Sequence, residues 1–208
     1  LSDHNDYYYH KVGGFINRIA PWYDALVGPA MQSKAVRAAG MLGEIKDLEV
    51  LDACTGTGIL AYELARRGAR VTAIDLSPAM LQRARKKLRG SGPRFELQDA
   101  ARMSFPDNTF HISTISMALH EMPPEARRKV LSEMNRVTTG RVVVVDWVKV
   151  PANPVWRWGV SLVERLEGGF YHEFIRSNLE NLLLETGFFI EEYAELDTIG
   201  IFLCQPKT

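Results

Sequence analysis

From Val50 to Ala61 the chain reads Val-Leu-Asp-Ala-Cys-Thr-Gly-Thr-Gly-Ile-Leu-Ala, a mostly apolar run that passes through two spaced glycines into a helical pattern. Such a run suits a strand buried on both faces. Gly56 and Gly58 let the backbone turn sharply and approach a ligand closely, because neither carries a Cβ. A strand, a glycine turn and a helix in direct succession begin a parallel α/β unit, and sheets of that kind bind ligands beyond the C-terminal ends of their strands.

The rest of the chain repeats the unit. An N-terminal helical segment is expected over Val12–Leu42, then strands at Glu49–Cys54, Arg70–Asp75, Arg94–Gln98, Phe110–Ser116 and Arg141–Trp147. Helices fall between them, at Ile59–Arg67, from the N-cap Ser77 and Pro78, and from Pro123-Pro124 with Gly140 as its stop. Val142–Val145 is the unbroken β-branched run of a central parallel strand. Pro151–Tyr171 reads as irregular, Ser177–Gly187 as a helix capped by Ser177 with Glu180, and Phe189–Glu195 and Gly200–Gln205 as closing strands. The expected fold is α/β: a Rossmann-like, seven-stranded, mostly parallel sheet with helices on both faces and an N-terminal helical cap. We read one domain over 1–208, divided into a cap (1–45), a cofactor-binding core (46–150), a substrate-side insertion (151–175) and a C-terminal helix with strands (176–208).

Composition sets limits. A net charge of +0 gives no electrostatic reason to expect nucleic acid as a partner. The basic cluster Arg83, Arg85, Lys86, Lys87 and Arg89 reads as a solvated helix face. Two cysteines, Cys54 and Cys204, make no disulfide framework, and no run approaches the ~18 apolar residues of a membrane span; a cytoplasmic protein is expected. Leu1–His10 lacks an apolar signal core, so secretion is not expected.

Asp75 follows Gly58 at the end of the next strand, where a carboxylate can accept from both hydroxyls of an adenosine ribose. Gly56-x-Gly58-x-x-Ala61 also satisfies a dinucleotide pattern. Three features count against a nicotinamide cofactor. Asp52 lies just before the turn, where its charge disfavours a pyrophosphate but suits the cationic amino-acid end of S-adenosylmethionine. Asp99 follows the third strand, where it can accept from an adenine amino group. A helical segment precedes the motif, which therefore does not open the domain.

These segments, with Ile19-Ala20-Pro21-Trp22-Tyr23-Asp24, Ala73-Ile74-Asp75-Leu76-Ser77-Pro78-Ala79-Met80, Gln98-Asp99-Ala100, Phe105–Phe110 and Ala118-Leu119-His120, resemble the class I S-adenosylmethionine-dependent methyltransferases. The resemblance is to the branch of ubiquinone and menaquinone biosynthesis methyltransferases and runs from about Phe15 to Val148. It implies S-adenosyl-L-methionine as cofactor. The turn Asp52-Ala53-Cys54-Thr55-Gly56 with Gly58 would meet its methionine part, and Asp75 the ribose. Leu76 and Met80 would pack on adenine, Asp99 and the Ala100 amide would read the adenine edge, and Met117 would lie beside the methionine moiety. Arg18 and Tyr23 would reach the methionine carboxylate from the cap. Cys54 stands where the family carries glycine.

Methyl transfer needs alignment in a dry pocket, and a phenol or activated ring carbon also profits from a general base. His120, just after the fourth strand, is the first candidate base, or else a hydrogen-bonded residue that positions the substrate, and His172 is the second candidate; Glu121 would orient His120 or cap the next helix. The expected acceptor is a small or lipid-like molecule such as a quinol, a phenol or a phospholipid amine. The aromatic segment 155–167, with Trp156 and Trp158, is expected to pack on the core or a second subunit as a homodimer, to cover the acceptor, or to touch a membrane surface. No metal-ligand cluster is evident, so metal independence is expected. Two other readings stand beside this one: a nicotinamide-dependent oxidoreductase, and a non-catalytic cofactor- or partner-binding protein, which Cys54 keeps open.

Overall fold

The computed structural model describes residues 28–87, 92–153 and 170–207. Helix α1 (Gly28–Met41) is followed by β1 (Glu49–Ala53), α2 (Ile59–Arg66), β2 (Arg70–Asp75), α3 (Pro78–Lys87), β3 (Arg94–Leu97) and β4 (Phe110–Ser116). A 3-10 turn at Leu119–Glu121 leads into α4 (Pro124–Val137), β5 (Thr138–Trp147), α5 (Tyr171–Ser177), α6 (Leu179–Glu185), β6 (Phe188–Leu196) and β7 (Ile199–Pro206). Arg18, Tyr23 and the aromatic segment 155–167 lie outside the described residues. Among the described residues no helix is long and apolar enough to cross a membrane.

The strands form one sheet in the order β3-β2-β1-β4-β5-β7-β6. β1 to β5 pair in parallel, and β7 runs antiparallel to both its neighbours. Strand order reverses between β1 and β4, which opens a crevice at their C-terminal ends, the place where open α/β sheets take ligands. The period-2 alternation of the strands builds a core on each face. Val50, Ala73, Ile112, Val143 and Val145 pack with α1 and α2; Leu51, Ala53, Ile115, Val142 and Val144 pack with α4, α5 and α6. Burying each large aliphatic side chain contributes about 1.5–3 kcal/mol relative to exposure, so both layers stabilise the sheet that carries the crevice.

Three local expectations are corrected. Gly140 does not stop the preceding helix: α4 ends at Val137, β5 begins at once with Thr138, and Gly140 lies within the strand. A Cβ at Gly140 would stand 2.6 Å from the His111 carbonyl oxygen, so the glycine serves close strand approach. Ser177 is not an N-cap; its hydroxyl donates to the Phe174 carbonyl at 2.8 Å, ending α5. The cap of α6 is Asn178, whose Oδ1 accepts from the Glu180 N–H at 3.0 Å. Finally, Tyr171 belongs to a helix, because Tyr171 and Phe174 bury one face of α5 that the irregular composition before it obscures.

Candidate active site

The turn after β1 is tied to β2 at two points. The Thr55 N–H donates to the Ile74 carbonyl at 2.9 Å, and the Gly56 N–H to Asp75 Oδ2 at 2.8 Å. Three of its residues hold left-handed backbone, Cys54 at φ +54°, Gly56 at +55° and Gly58 at +79°. Among the described residues, a Cβ built on Gly56 would meet no atom within 4 Å beyond its chain neighbours, so this fold leaves the backbone there open to close approach. Asp52 lies beneath the turn and is buried. Its Oδ2 accepts from the Thr55 hydroxyl and its Oδ1 from the Thr114 hydroxyl, each at 2.6 Å, which joins the turn to β4. Burial, opposed by those two hydroxyls, pushes the Asp52 carboxyl up to about 6.

Asp75 ends β2. Its Oδ1 accepts from the Ser77 N–H at 2.8 Å, and burial raises its carboxyl above the ordinary range against these backbone donors. Leu76, 48% exposed, presents its side chain at the rim, whereas Met80 is buried one turn into α3, where its N–H donates to the Ser77 hydroxyl at 3.1 Å. Asp99 follows β3 and accepts the Ala101 N–H at 2.8 Å; Ala100 is buried in the core. The Cys54 thiol reports the charge of the whole region. Burial, then the negative charges of Asp75, Glu121, Asp52 and Asp99, hold it well above its ordinary range. Carboxylates from four separate segments thus act on one thiol.

The other wall comes from β4 and β5. Met117, at φ +55°, leaves β4 with its N–H on the Val145 carbonyl at 2.8 Å. His120 sits on the 3-10 turn with its Nδ1 2.7 Å from Asp146 Oδ1. Asp146, next to the end of β5 and fully buried, also accepts the Leu119 N–H at 2.9 Å and the His120 N–H at 3.3 Å on Oδ2, and the Trp147 N–H at 2.8 Å on Oδ1. The imidazole is enclosed by aromatic rings: Trp147, Tyr171 and Phe174 have centroids 6.3–6.4 Å away. Its Nε2 lies 3.9 Å from Glu121 Oε1. Arg127 of α4, 1% exposed, fixes the turn from behind. It donates to the Leu119 carbonyl at 2.9 Å and to Glu173 of α5 at 2.6 Å, and its guanidinium lies 4.8 Å from the Phe174 ring centroid.

Residues 50–140 match the family model of a methyltransferase domain. The demethylmenaquinone methyltransferase of Thermobifida fusca is 36% identical over 121 residues, 54% of this chain and 50% of that protein. That of Lactiplantibacillus plantarum is 31% identical over 186 residues, 80% of this chain and 77% of that protein. The chain belongs to the class I S-adenosylmethionine-dependent methyltransferases, in the branch of the menaquinone and ubiquinone enzymes. It spans only 50%, 58% and 65% of the length of the demethylmenaquinone methyltransferases of Thermobifida fusca, Paenarthrobacter aurescens and Thermus thermophilus. The magnesium protoporphyrin IX methyltransferase of Synechocystis, solved with bound SAH, has the same fold: TM-score 0.63 and 20% identity over 86% of this chain and 84% of that one.

In this member of the methyltransferase family, most residues expected from the sequence gather at the sheet's switch point. Asp52, Ala53, Cys54, Thr55, Gly56 and Gly58 form the strand end and turn; Asp75, Leu76 and Asp99 close one flank and Met117 and His120 the other. His172 stands apart, exposed on α5 with its ring 5.3 Å from that of Tyr171. Glu121 does not orient His120 through Nδ1, because Asp146 occupies that side. Two functional candidates escaped the sequence reading, though each left a trace. Asp146 is a carboxylate near the end of an otherwise apolar central strand, the position that Asp52 and Asp75 hold in theirs. Arg127 shares the apolar face of α4 with Leu131 and Met134, at i+4 and i+7, and a charge there must be paired.

Proposed function

We propose that the chain transfers the methyl group of S-adenosylmethionine to a small hydroxylated ring acceptor of the quinol or phenol kind. The observation that carries this reading is the pair of buried carboxylates bonded to the turn after β1, Asp52 on the Thr55 hydroxyl at 2.6 Å and Asp75 on the Gly56 N–H at 2.8 Å, with Asp99 and Glu121 adding negative charge at Cys54. A site so rich in carboxylates disfavours a pyrophosphate and suits a ligand with a cationic sulfonium and a cationic ammonium, which speaks against the nicotinamide reading. When bound, the cofactor supplies a methyl group already activated on positive sulfur. The chain supplies the rest. Gly56 and Gly58 allow close approach of backbone, the Asp75 oxygens retain lone pairs to accept ribose hydroxyls, Leu76 offers an apolar rim for adenine, and Asp99 with the Ala100 amide faces the adenine edge. Arg18 and Tyr23 are assigned to the methionine carboxylate on resemblance alone.

His120 is the base in this reading and takes the acceptor's proton, a role that its pairing with Asp146 supports. His172 is left a role at the solvent side of α5. The acceptor class draws support from the relatives named demethylmenaquinone methyltransferase. Acceptor choice is assigned to the N-terminal cap and the 151–175 insertion, where contact of 155–167 with a membrane surface or a second copy would bring a lipophilic acceptor within reach. Two free cysteines accord with a cytoplasmic setting.

Isothermal titration tests the reading. S-adenosylmethionine and S-adenosylhomocysteine bind in the micromolar range, NADH does not, and Asp75→Ala abolishes the binding. Binding of NADH alone, or unchanged affinity in the Asp75 variant, overturns it.

A further inference from the structure

We infer that Asp146 is a positioning residue that fixes the tautomer of His120, so that Nε2 receives a proton from a hydroxyl of the methyl acceptor. This rests on the reading of His120 as the base. The geometry is specific. A carboxylate oxygen 2.7 Å from Nδ1 accepts a hydrogen bond, so Nδ1 carries the proton and the lone pair of the neutral ring lies on Nε2. The same carboxylate holds the ring's backbone, because its second oxygen accepts the Leu119 and His120 N–H groups. One buried side chain therefore sets where the imidazole sits and which nitrogen is basic.

In the proton transfer the acceptor O–H bond breaks with its electron pair left on oxygen, and an N–H bond forms at Nε2. Neutral imidazole becomes imidazolium and the hydroxyl becomes an oxyanion. Among the described residues, the charged groups beside the ring favour that change. Asp146 lies at Nδ1 from β5, and Glu121 stands 3.9 Å from Nε2 on the turn itself. From α5, Tyr171 is an edge-on ring, and from α4 the Arg127 cation is paired with Glu173. Two carboxylates thus flank the developing imidazolium. The substrate class follows: the acceptor is one whose nucleophile must lose a proton, a phenol or hydroquinone, rather than an amine that is already neutral.

Asp146→Asn separates positioning from packing. An Asn that turns its carbonyl oxygen to the Leu119 and His120 N–H groups presents its NH2 to Nδ1, which forces the proton onto Nε2. Long-range 1H–15N spectra of the protein without cofactor, with His120→Gln for assignment, read the tautomer directly. The expected result is Nδ1–H in the wild type and Nε2–H in Asp146→Asn. With naphthalene-1,4-diol and S-adenosylmethionine, kcat falls about 100-fold at neutral pH, KM and S-adenosylhomocysteine affinity hold, and the deficit shrinks as the diol ionises at higher pH. Asp146→Glu restores part of the rate. An Nε2–H wild-type ring overturns the inference even where Asp146→Asn does not fold. So does an unchanged tautomer in that variant, or a rate that ignores the tautomer switch. If the wild type binds neither adenosyl compound, the cofactor reading fails on its own, while the spectra still decide the role of Asp146.

Discussion

Cys54 holds a backbone conformation that ordinarily belongs to glycine, and a left-handed φ on an L-residue costs about 1–2 kcal/mol. Cys54→Gly recovers that strain and gives back part of it in unfolded-chain entropy, so the expected gain is about 1 kcal/mol, read as a higher urea midpoint at constant m-value. Asp52 sets a pH dependence of opposite character to that of an ordinary salt-bridged carboxylate. Its carboxyl is raised from 3.8 to about 6 in the folded state, so the folded protein binds more protons than the unfolded chain between those values. Stability is then highest below about pH 4 for this group, and falls by about 3 kcal/mol as pH rises to 6 before levelling. Asp52→Asn should flatten that slope in urea titrations run at successive pH values. A cationic ligand favours the ionised form, so its affinity in the wild type rises with pH up to about 6. Both residues were visible in the sequence, but their states were not: a φ angle and a burial belong to the folded turn.

At the scale of elements, β1, α2, β2 and β4 were legible to within a residue, because apolar runs and glycine punctuation act locally. The α4–β5 junction was not. Composition offers Gly140 as a helix stop, yet the helix gives way at Thr138, and the glycine answers to His111 on the neighbouring strand, where the pairing register shifts. That reason is tertiary and leaves no local trace. Gly140→Ala drives a Cβ onto a backbone carbonyl, which cannot swing aside as a side chain can, and should cost about 1–3 kcal/mol in urea denaturation. The start of α6 failed for a related reason. Ser177 and Glu180 have capping-box spacing, but Asn178 takes the positive φ between two helices, a conformation that Asn tolerates better than Ser.

For the molecule as a whole, the alternation of strands and helices dictated a parallel sheet, and with it the crevice where Asp52, Asp75 and Asp99 gather. It did not dictate the partners that cross the sheet. Asp146 and His120 are separated by a whole helix in the chain, and Arg127 reaches from one helix to another, so the constellation around His120 emerges only when β4, β5 and α5 are docked. The strand order carries a consequence for assembly. β7, which follows β6 in sequence, lies between β5 and β6 and pairs Gly200 beside Asp146. On a ribosome, β5 and β6 are both synthesised before the strand that separates them, and must leave a slot that the shorter-range pairing of β5 with β6 would close. The glutamates Glu191, Glu192 and Glu195 on β6 weigh against that premature pairing with the apolar Val142–Val145 run. Asp146, the carboxylate beside His120, gains its neighbour on that side only when the chain has been read through residue 200, so the pocket around that pair is completed by β7 and not by the strands made before it.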